Sequence, residues 1–301
     1  MSSNPESVQQ IKESLILQKV SDYKLLVKLR LSLTVVFSSV IAYLIALPSG
    51  PINWQGAALL ALGGFLVTGA ANALNQVLEK DYDRLMKRTA NRPLAAGRMS
   101  VSEAVLAAGF MSLFGIVLLA LFNPWASFFG TLALVLYAFV YTPFKRIGPV
   151  AVLIGAVPGA LPVLIGVVAV DAQLSALGLI LFGIQFFWQF PHFWAIGWLG
   201  HEDYSRAGYK LFPSVNGEPD SAAGLQSFVY ALLLMPLCFG LYVIGMGTLI
   251  AALVALALTI GYAVFSWNFY RQGSRKSALW LMFYSFGYLP LVLLTFFIDK
   301  I

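Results

Sequence analysis

Charged side chains are scarce in this sequence. Only 11% of its 301 residues are Asp, Glu, Lys or Arg, and 59% are hydrophobic, whereas an average soluble domain carries about 25% charged residues. This imbalance excludes an ordinary soluble enzyme and indicates an integral membrane protein. Cysteine is nearly missing as well. The single one, Cys238, rules out an internal disulfide, a thiolate metal cluster and a C-x-x-C-H heme attachment.

Long apolar runs account for most of the chain. A helix needs about 20 predominantly apolar residues to cross the roughly 30 Å of hydrocarbon in a bilayer. Nine runs have this length, at about residues 31–48, 56–78, 102–122, 125–142, 148–169, 174–199, 223–245, 248–270 and 277–298. The sequence therefore predicts an all-α, polytopic membrane protein in which residues 31–301 form a single nine-helix transmembrane domain. Residues 1–30 are polar and show no cleavable signal, which predicts a cytoplasmic N-terminal arm.

The basic residues are distributed unevenly between the predicted connections. All Lys and Arg residues except Lys300 fall before the first span or in alternate connections. Because basic residues near span ends stay on the cytoplasmic side, this pattern predicts the N-terminus inside and the C-terminus outside. We expect a multi-pass protein of the cell inner (plasma) membrane, surrounded by membrane lipid. The net charge of +6 is explained by this topology, and no nucleic-acid partner is expected.

The densest group of charged residues follows the second predicted span. Asn75, Glu79 and Asp83 are spaced i, i+4, i+8, so their oxygen-bearing side chains share one helix face. Cations lie between and after them: Lys80, Arg84, Lys87, Arg88 and Arg92. Mg²⁺ takes carboxylate and phosphate oxygens, while Arg and Lys neutralise the remaining phosphate charge. The stretch predicts a site for a metal-bound diphosphate, with a solvated, salt-bridged helix end as the alternative.

A second polar group lies within the sixth predicted span. Gln185, Gln189 and His192 are spaced by four and three residues, so they share a face of an apolar, aromatic helix. Polar groups in lipid cost free energy unless they meet a cavity or a partner. This face therefore predicts either a binding cavity or, for His192, a hydrogen bond to a neighbouring helix.

Charged residues reappear where this span ends. Glu202 and Asp203 are followed one and two turns later by Arg206 and Lys210, which repeats the acid and base composition of the first group. Both groups are predicted to lie on the same side of the membrane. We expect them to face each other across a central cavity that opens toward the cytoplasmic side.

These segments resemble the intramembrane prenyltransferase superfamily, and within it the branch that farnesylates heme. The resemblance is carried by N-x-x-x-E-K-D-Y-D-R-x-M-x-R-T-x-x-R-P-L (75–94), Y-T-P-F-K-R (141–146), P-H-F-W-A-I-G-W and E-D-Y-x-R-A-G (191–208). It spans at least six of the nine predicted helices.

Three departures from the superfamily's pattern are visible. Its first acidic motif, N-x-x-x-D-x-x-x-D, has Glu79 in place of the first Asp, a longer arm that still reaches a metal. Its second motif, D-x-x-x-D, is replaced by the acid pair Glu202 and Asp203. After Arg146 the branch usually shows Thr and Asn, whereas this chain has Ile-Gly-Pro, so no role is carried onto 147–149.

The resemblance implies a reaction and its participants. The farnesyl group of farnesyl diphosphate is transferred to a vinyl group of heme B with addition of water, which gives heme O and diphosphate. The implied cofactor is Mg²⁺, held by Asn75, Glu79, Asp83 and Asp203, with Glu202 as a further catalytic acid. The implied diphosphate ligands are Lys80, Arg84, Arg88, Arg92, Lys145 and Lys210. His192 is assigned to heme contact, and a downstream heme-modifying enzyme is a candidate partner.

Two other functions compete with this interpretation. Another branch of the superfamily would prenylate a quinone precursor or a different tetrapyrrole, but the P-H-F-W and E-D-Y-x-R-A-G segments favour heme. A transporter or proton-coupled pump would carry acids within its spans. Here the acids lie at span ends beside cations, and the sequence shows no clear internal repeat, which transporters commonly have.

Overall fold

The computed structural model of this chain describes residues 5–215, 217–220 and 222–300. They form twelve α-helices: α1 (Pro5–Leu26), α2 (Leu29–Ala46), α3 (Trp54–Asp83), α4 (Val101–Ala120), α5 (Pro124–Val135), α6 (Thr142–Phe144), α7 (Val150–Asp171), α8 (Ala176–Leu199), α9 (His201–Arg206), α10 (Ala222–Val243), α11 (Leu249–Gln272) and α12 (Arg275–Lys300). A π-helical segment, Leu136–Tyr141, joins α5 to α6. A short antiparallel hairpin pairs β1 (Ser214–Val215) with β2 (Glu218–Pro219). The predicted all-α class is confirmed, with this hairpin as a small addition.

Nine helical segments in the described part of the chain are long and apolar enough to cross a membrane. They are α2, α3, α4, the continuous segment Pro124–Phe144, α7, α8, α10, α11 and α12. This confirms the predicted number of spans and a multi-pass membrane protein. The main difference is in α3, which continues to Asp83 beyond the apolar run predicted to end at residue 78. Its last turns stay helical because their polar side chains are buried against partners.

Polar residues cap the starts of several spans. Each cap accepts a hydrogen bond from a main-chain N–H in the first turn, at 2.9 to 3.3 Å. The capping residues are Asn53, Ser100, Asn123, Ser175 and Thr248. These N–H groups have no partner within the helix, and in lipid no water can bond them. The caps satisfy them and so fix where each span begins.

The nine spans form a closed ring, across which α2 also packs against α7 and α8 against α12. Spans that follow each other in the sequence are neighbours, and α12 packs against α2 to complete the circle. Small residues permit close approach: a Cβ on Gly166 of α7 would collide with the main chain of Ser39 in α2. A Cβ on Gly115 of α4 would come within 2.9 Å of the Val67 nitrogen in α3. Close packing of this kind drives helix association in lipid, where the hydrophobic effect does not.

Helix α1 lies outside the ring and is attached to it by charged contacts. Asp22 is buried and accepts a hydrogen bond of 2.8 Å from Arg98, in the α3–α4 connection. Lys19 pairs with Glu103 of α4 at 2.8 Å. Between α1 and α2, Lys28 adopts a positive φ of 48°, which is strained for a residue other than glycine. This sharp break turns the Lys28 side chain toward α3.

The charged ends of the helices meet at one end of the bundle. Lys28, before α2, bonds Asn75 of α3, while Lys145, after α6, bonds Glu79 of α3. We call this end the charged face, formed by the starts of α2 and α4, the ends of α3, α6 and α8, and residues 200–213. Lys300 lies at the opposite end, where its ammonium contacts the last carbonyl groups of α2. That the charged face is cytoplasmic stays a prediction.

Candidate active site

Three polar side chains of α3 are buried at the charged face. Asn75, Glu79 and Asp83 are exposed by 0%, 4% and 1%. The Asn75 amide donates to Glu79 Oε2 at 2.9 Å and to the Thr142 hydroxyl at 3.0 Å. The predicted helix face therefore exists, and these residues are not a solvated helix end. Buried carboxylates require partners, because an unpaired charge in a medium of low polarity is strongly unfavourable.

Each carboxylate has its own cation. Lys145 Nζ lies 2.9 Å from Glu79 Oε1 and 3.1 Å from Oε2. One guanidinium nitrogen of Arg92 donates to both carboxylate oxygens of Asp83, each at 2.7 Å. The structure thus brings together five of the predicted site residues: Asn75, Glu79, Asp83, Arg92 and Lys145.

Local turns place the two cations. Thr89 donates its hydroxyl proton to the Asp83 carbonyl at 2.9 Å, which folds the α3–α4 connection back over the end of α3. Arg92 follows in the next turn. On the other side, the π-helical segment and Thr142, whose hydroxyl donates to the Tyr137 carbonyl at 2.9 Å, direct Lys145 toward Glu79. A π-helical segment inside an α-helix is frequent at functional sites.

Lys28 is a site residue that the sequence did not reveal. Its ammonium donates to Asn75 Oδ1 at 2.8 Å and lies 3.4 Å from the Tyr137 hydroxyl. Burial, together with the nearby cations Arg92 and Lys145, lowers its pKa well below the usual value. The sequence marked Lys28 only as a basic residue before the first span. No spacing rule could place it, because its position depends on the break between α1 and α2.

Tyrosines cover the acids. The Arg88 guanidinium lies 4.1 Å from the Tyr204 ring centroid, and Lys145 Nζ lies 4.7 Å from that of Tyr141. Both distances permit cation–π attraction. The Tyr209 hydroxyl is buried and lies beside Glu79. Burial and this carboxylate raise the pKa of Tyr209, so the phenol keeps its proton.

The other predicted site residues lie farther out. Glu202 and Asp203, on α9, both accept from Arg206, at 2.9 and 3.4 Å, and the Glu202 side chain is 89% exposed. Within the described part of the chain, neither carboxylate forms a hydrogen bond or an ion pair with a residue that pairs with the acids of α3. The Arg84 side chain donates to the Ala95 carbonyl at 2.8 Å. The Lys210 side chain is exposed, and only its main-chain N–H contacts the site, by donating to the Lys145 carbonyl at 2.9 Å. Lys80 is half-buried on α3.

The donor set at the end of α3 suits Mg²⁺ with a diphosphate. Within the described ranges there is no group of three His, Cys, Asp or Glu side chains placed to hold a metal alone. Mg²⁺ does not need one, since it is commonly held by one or two carboxylates plus substrate phosphates and water. Glu79 Oε1 is buried and makes no hydrogen bond, although Lys145 is close. Such an oxygen is available to a cation, so Glu79 fits the metal, and Asp83 offers two further oxygens that accept from Arg92 in this structure.

An apolar cavity of about 260 Å³ lies inside the ring next to the acids. Its lining includes Asn72, one turn before Asn75, and Tyr137 and Tyr141. Gly155 of α7 leaves room for the Tyr141 ring, since a Cβ there would lie 2.6 Å from ring carbons. The acids and the cavity are therefore adjacent compartments, one charged and one apolar.

His192 lines this cavity from α8 and stacks on Trp188 with ring centroids 5.0 Å apart. Its Nδ1 lies 2.7 Å from the Ser285 hydroxyl of α12, which itself donates to the Met282 carbonyl at 2.5 Å. Because the hydroxyl proton is used, Ser285 accepts from His192 Nδ1–H, and Nε2 carries the free lone pair. A neighbouring helix thus satisfies one ring nitrogen and leaves the other for a ligand.

Residues 35–287 match the model of the UbiA prenyltransferase family, and the chain belongs to this family. Within the family it is similar to the protoheme IX farnesyltransferase of Cytophaga hutchinsonii. The two are 42% identical over 280 residues, which cover 93% of this chain and 97% of the relative.

Solved structures share the fold. A digeranylgeranylglyceryl phosphate synthase superposes with a TM-score of 0.77 at 18% identity, covering 94% of this chain and 99% of that protein. A UbiA homolog from Archaeoglobus fulgidus bound to GPP and Mg²⁺ gives a TM-score of 0.65 at 18% identity, covering 89% and 99%. At these identities the likeness establishes the architecture.

Proposed function

We propose that this chain transfers the farnesyl group of farnesyl diphosphate to a vinyl group of heme B with addition of water, which yields heme O and diphosphate. The observation that carries the proposal is the buried Asn75, Glu79 and Asp83 ladder, with a separate cation on each acid, beside an apolar cavity. The similarity to a protoheme IX farnesyltransferase supports heme as the acceptor. The structure of a homolog with GPP and Mg²⁺ supports a prenyl diphosphate and a divalent cation.

The chain's own residues would act by exchanging ionic partners. Glu79, Asp83 and Asn75 would hold Mg²⁺, which neutralises the leaving diphosphate when bound. Asp203 would join them by exchanging its present partner, Arg206, for the metal. Lys145 and Arg92 would then turn from the acids to the phosphate oxygens. We place Lys28 in the same role, and Lys80, Arg84, Arg88 and Lys210 at the outer side of the diphosphate. In these roles, the basic residues that pair with Glu79 and Asp83 in the free protein would pair with the phosphate groups of the bound substrate.

In the reaction the allylic C–O bond breaks and the electron pair leaves with diphosphate. The heme vinyl carbon forms the new C–C bond with the farnesyl group, water adds to the resulting cation, and one proton is released. The apolar cavity would keep other water away from the farnesyl chain, and His192 would contact heme. Glu202, whose carboxylate pairs with Arg206 on α9, would act from outside the metal shell as a further acid.

We further propose that the charged face lies on the cytoplasmic side of the inner (plasma) membrane. The distribution of Lys and Arg supports this orientation. Residues 1–30 would form a cytoplasmic arm and residues 31–301 the transmembrane domain, with membrane lipid around the ring. A downstream heme-modifying enzyme is a proposed partner, because heme O is too apolar to diffuse freely through water.

The product decides between heme and other acceptors. Purified protein is incubated with heme B, farnesyl diphosphate and Mg²⁺, and the products are separated by chromatography and weighed by mass spectrometry. We expect heme B to gain the mass of one farnesyl group and one hydroxyl group. Prenylation of a quinone precursor, with heme B unchanged, would overturn the proposal and favour another branch of the family.

Replacing Lys145 with glutamine is expected to raise the KM for farnesyl diphosphate by roughly 10- to 100-fold, the loss of one charged hydrogen bond. The turnover number should change less, because a cation that binds ground and transition states alike contributes mainly to affinity. The measurement is steady-state kinetics with either substrate varied.

Lys276→Gln is the matched control, since it removes the same charge from an exposed position at the start of α12. It should leave both KM values unchanged. If Lys145→Gln altered only the KM for heme, its assignment to the diphosphate would be wrong.

A further inference from the structure

Tyr209 carries a polar group that the fold itself does not use. The residue is 5% exposed, and its hydroxyl makes no hydrogen bond within the described part of the chain. It lies beside Glu79, whose Oε1 is likewise buried without a hydrogen bond. Burying a donor without an acceptor is unfavourable, so a phenylalanine would serve packing better at this position.

The main chain fixes where this hydroxyl points. Gly208 has a φ of +75°, a conformation that favours glycine, and it turns the chain so that Tyr209 faces inward. The Tyr209 N–H donates to the Tyr204 carbonyl at 2.9 Å. The next N–H, of Lys210, donates at 2.9 Å to the carbonyl of Lys145, the cation that pairs with Glu79. The loop after α9 is thus attached to the acid site by its backbone.

The ring is also held firmly. It packs against the Tyr82 ring with centroids 5.8 Å apart, and the Lys145 ammonium lies 6.0 Å from its centroid. The site around it already contains three basic side chains, namely Lys28, Arg92 and Lys145. An uncharged hydrogen-bond donor can orient a bound anion there without adding repulsion between like charges.

We propose that Tyr209 is a positioning residue for the diphosphate, and that its hydroxyl donates a hydrogen bond to a phosphate oxygen of the bound prenyl diphosphate. The inference rests on the proposed function and adds a residue to that site. It explains why an unsatisfied hydroxyl is retained: its acceptor arrives with the substrate. The hydroxyl fixes the orientation of the diphosphate against Glu79, while the cations supply the charge.

The test compares two variants that each remove one buried hydroxyl. Tyr209→Phe removes the unsatisfied group, whereas Tyr288→Phe removes a hydroxyl that lies 2.8 Å from Thr259 in the α11–α12 packing. Full-length protein in detergent is unfolded by heat without ligand. The affinity for inorganic pyrophosphate with Mg²⁺ is measured by calorimetry.

We expect opposite results for the two variants. Tyr209→Phe should keep or raise the unfolding midpoint without ligand, and should weaken pyrophosphate binding by roughly 10- to 100-fold. Its KM for farnesyl diphosphate should rise while that for heme stays. Tyr288→Phe should lower the midpoint and leave the pyrophosphate affinity unchanged.

The outcomes separate this inference from the function on which it rests. If wild-type protein binds pyrophosphate with Mg²⁺ and Tyr209→Phe binds it equally well, only the role of Tyr209 is wrong. The same conclusion follows if Tyr209→Phe merely lowers the midpoint. If wild-type protein does not bind pyrophosphate with Mg²⁺, the diphosphate site itself is wrong, and the role of Tyr209 fails with it.

Discussion

Replacing Asp83 with asparagine is expected to lower heme O formation by about 10³-fold or more, since a metal-bound leaving group accounts for several kcal/mol of the barrier. Asparagine keeps the size of the side chain and one acceptor for Arg92, so the fold should survive. It loses the negative charge and one of the two oxygens offered to Mg²⁺. Asn75→Ala is expected to be equally inactive. The measurement is product formation by purified protein, with thermal unfolding as the check on folding.

Two comparisons make this result specific. Asp81→Asn makes the same change two residues earlier, where the side chain is 68% exposed and pairs with Arg84, and it should have no effect. Glu79→Asp keeps the charge and restores the family's usual residue, so activity should be retained. If Asp83→Asn were as active as wild type at saturating Mg²⁺, Asp83 would not hold the metal. An inactive Glu79→Asp would show that this site needs the longer arm.

The ion pairs of Glu79 and Asp83 balance the charges of the site when no substrate is bound. Glu79 and Asp83 are too deeply buried to remain charged alone, and removing a partner from a buried pair costs about 3–5 kcal/mol. Lys145 and Arg92 therefore stabilise the free protein. When a diphosphate and Mg²⁺ bind together, the acids gain a cation and the basic residues gain an anion, so no charge is left unpaired. Binding of the two as a complex should be strongly favoured over either alone.

The sequence predicted correctly the features that are determined within a single helix. Nine spans followed from the length of the apolar runs, and the common face of Asn75, Glu79 and Asp83 followed from helical spacing. It could not predict which cation pairs with which acid. Arg92 meets Asp83 because the α3–α4 connection folds back, and Lys145 meets Glu79 across the packing of two spans. Such contacts arise from tertiary structure and leave no periodic signal.

Residues without a recognised pattern were missed for the same reason. Lys28 enters the site through a backbone conformation with positive φ, which lysine rarely adopts and no motif announced. Tyr209 looked like one aromatic among many in a chain with 14% aromatic residues. Glu202 shows the converse. Its motif suggested a catalytic acid close to the metal ligands of α3, whereas its side chain lies exposed on α9 beside Arg206.

His192 is the residue on which the assignment of heme depends most. Counted along α8 at 1.5 Å per residue, it lies roughly 10 Å deeper than Leu199, where that helix ends at the charged face, and so beyond easy reach of the diphosphate. It lines the apolar cavity, and Ser285 holds the proton on Nδ1, so Nε2 is free to bind heme iron or a heme substituent. The cavity of about 260 Å³ is small for a tetrapyrrole. Heme would therefore enter this cavity only if side chains or helices of its lining moved.

His192→Ala is expected to weaken heme binding by about 10-fold or more and to change the Soret band, because an axial or hydrogen-bonding partner is lost. Binding of farnesyl diphosphate should be preserved. His201→Ala is the matched control, since the other histidine of the chain lies on α9 and bonds the Gly217 carbonyl at 3.0 Å. Ser285→Ala removes the partner of Nδ1 but keeps the imidazole. It should lower the unfolding midpoint and weaken heme binding less than His192→Ala does. Heme titration followed by absorbance in detergent distinguishes these variants. If His192→Ala lost only thermal stability and matched the wild-type affinity and Soret spectrum, the histidine would serve helix packing alone.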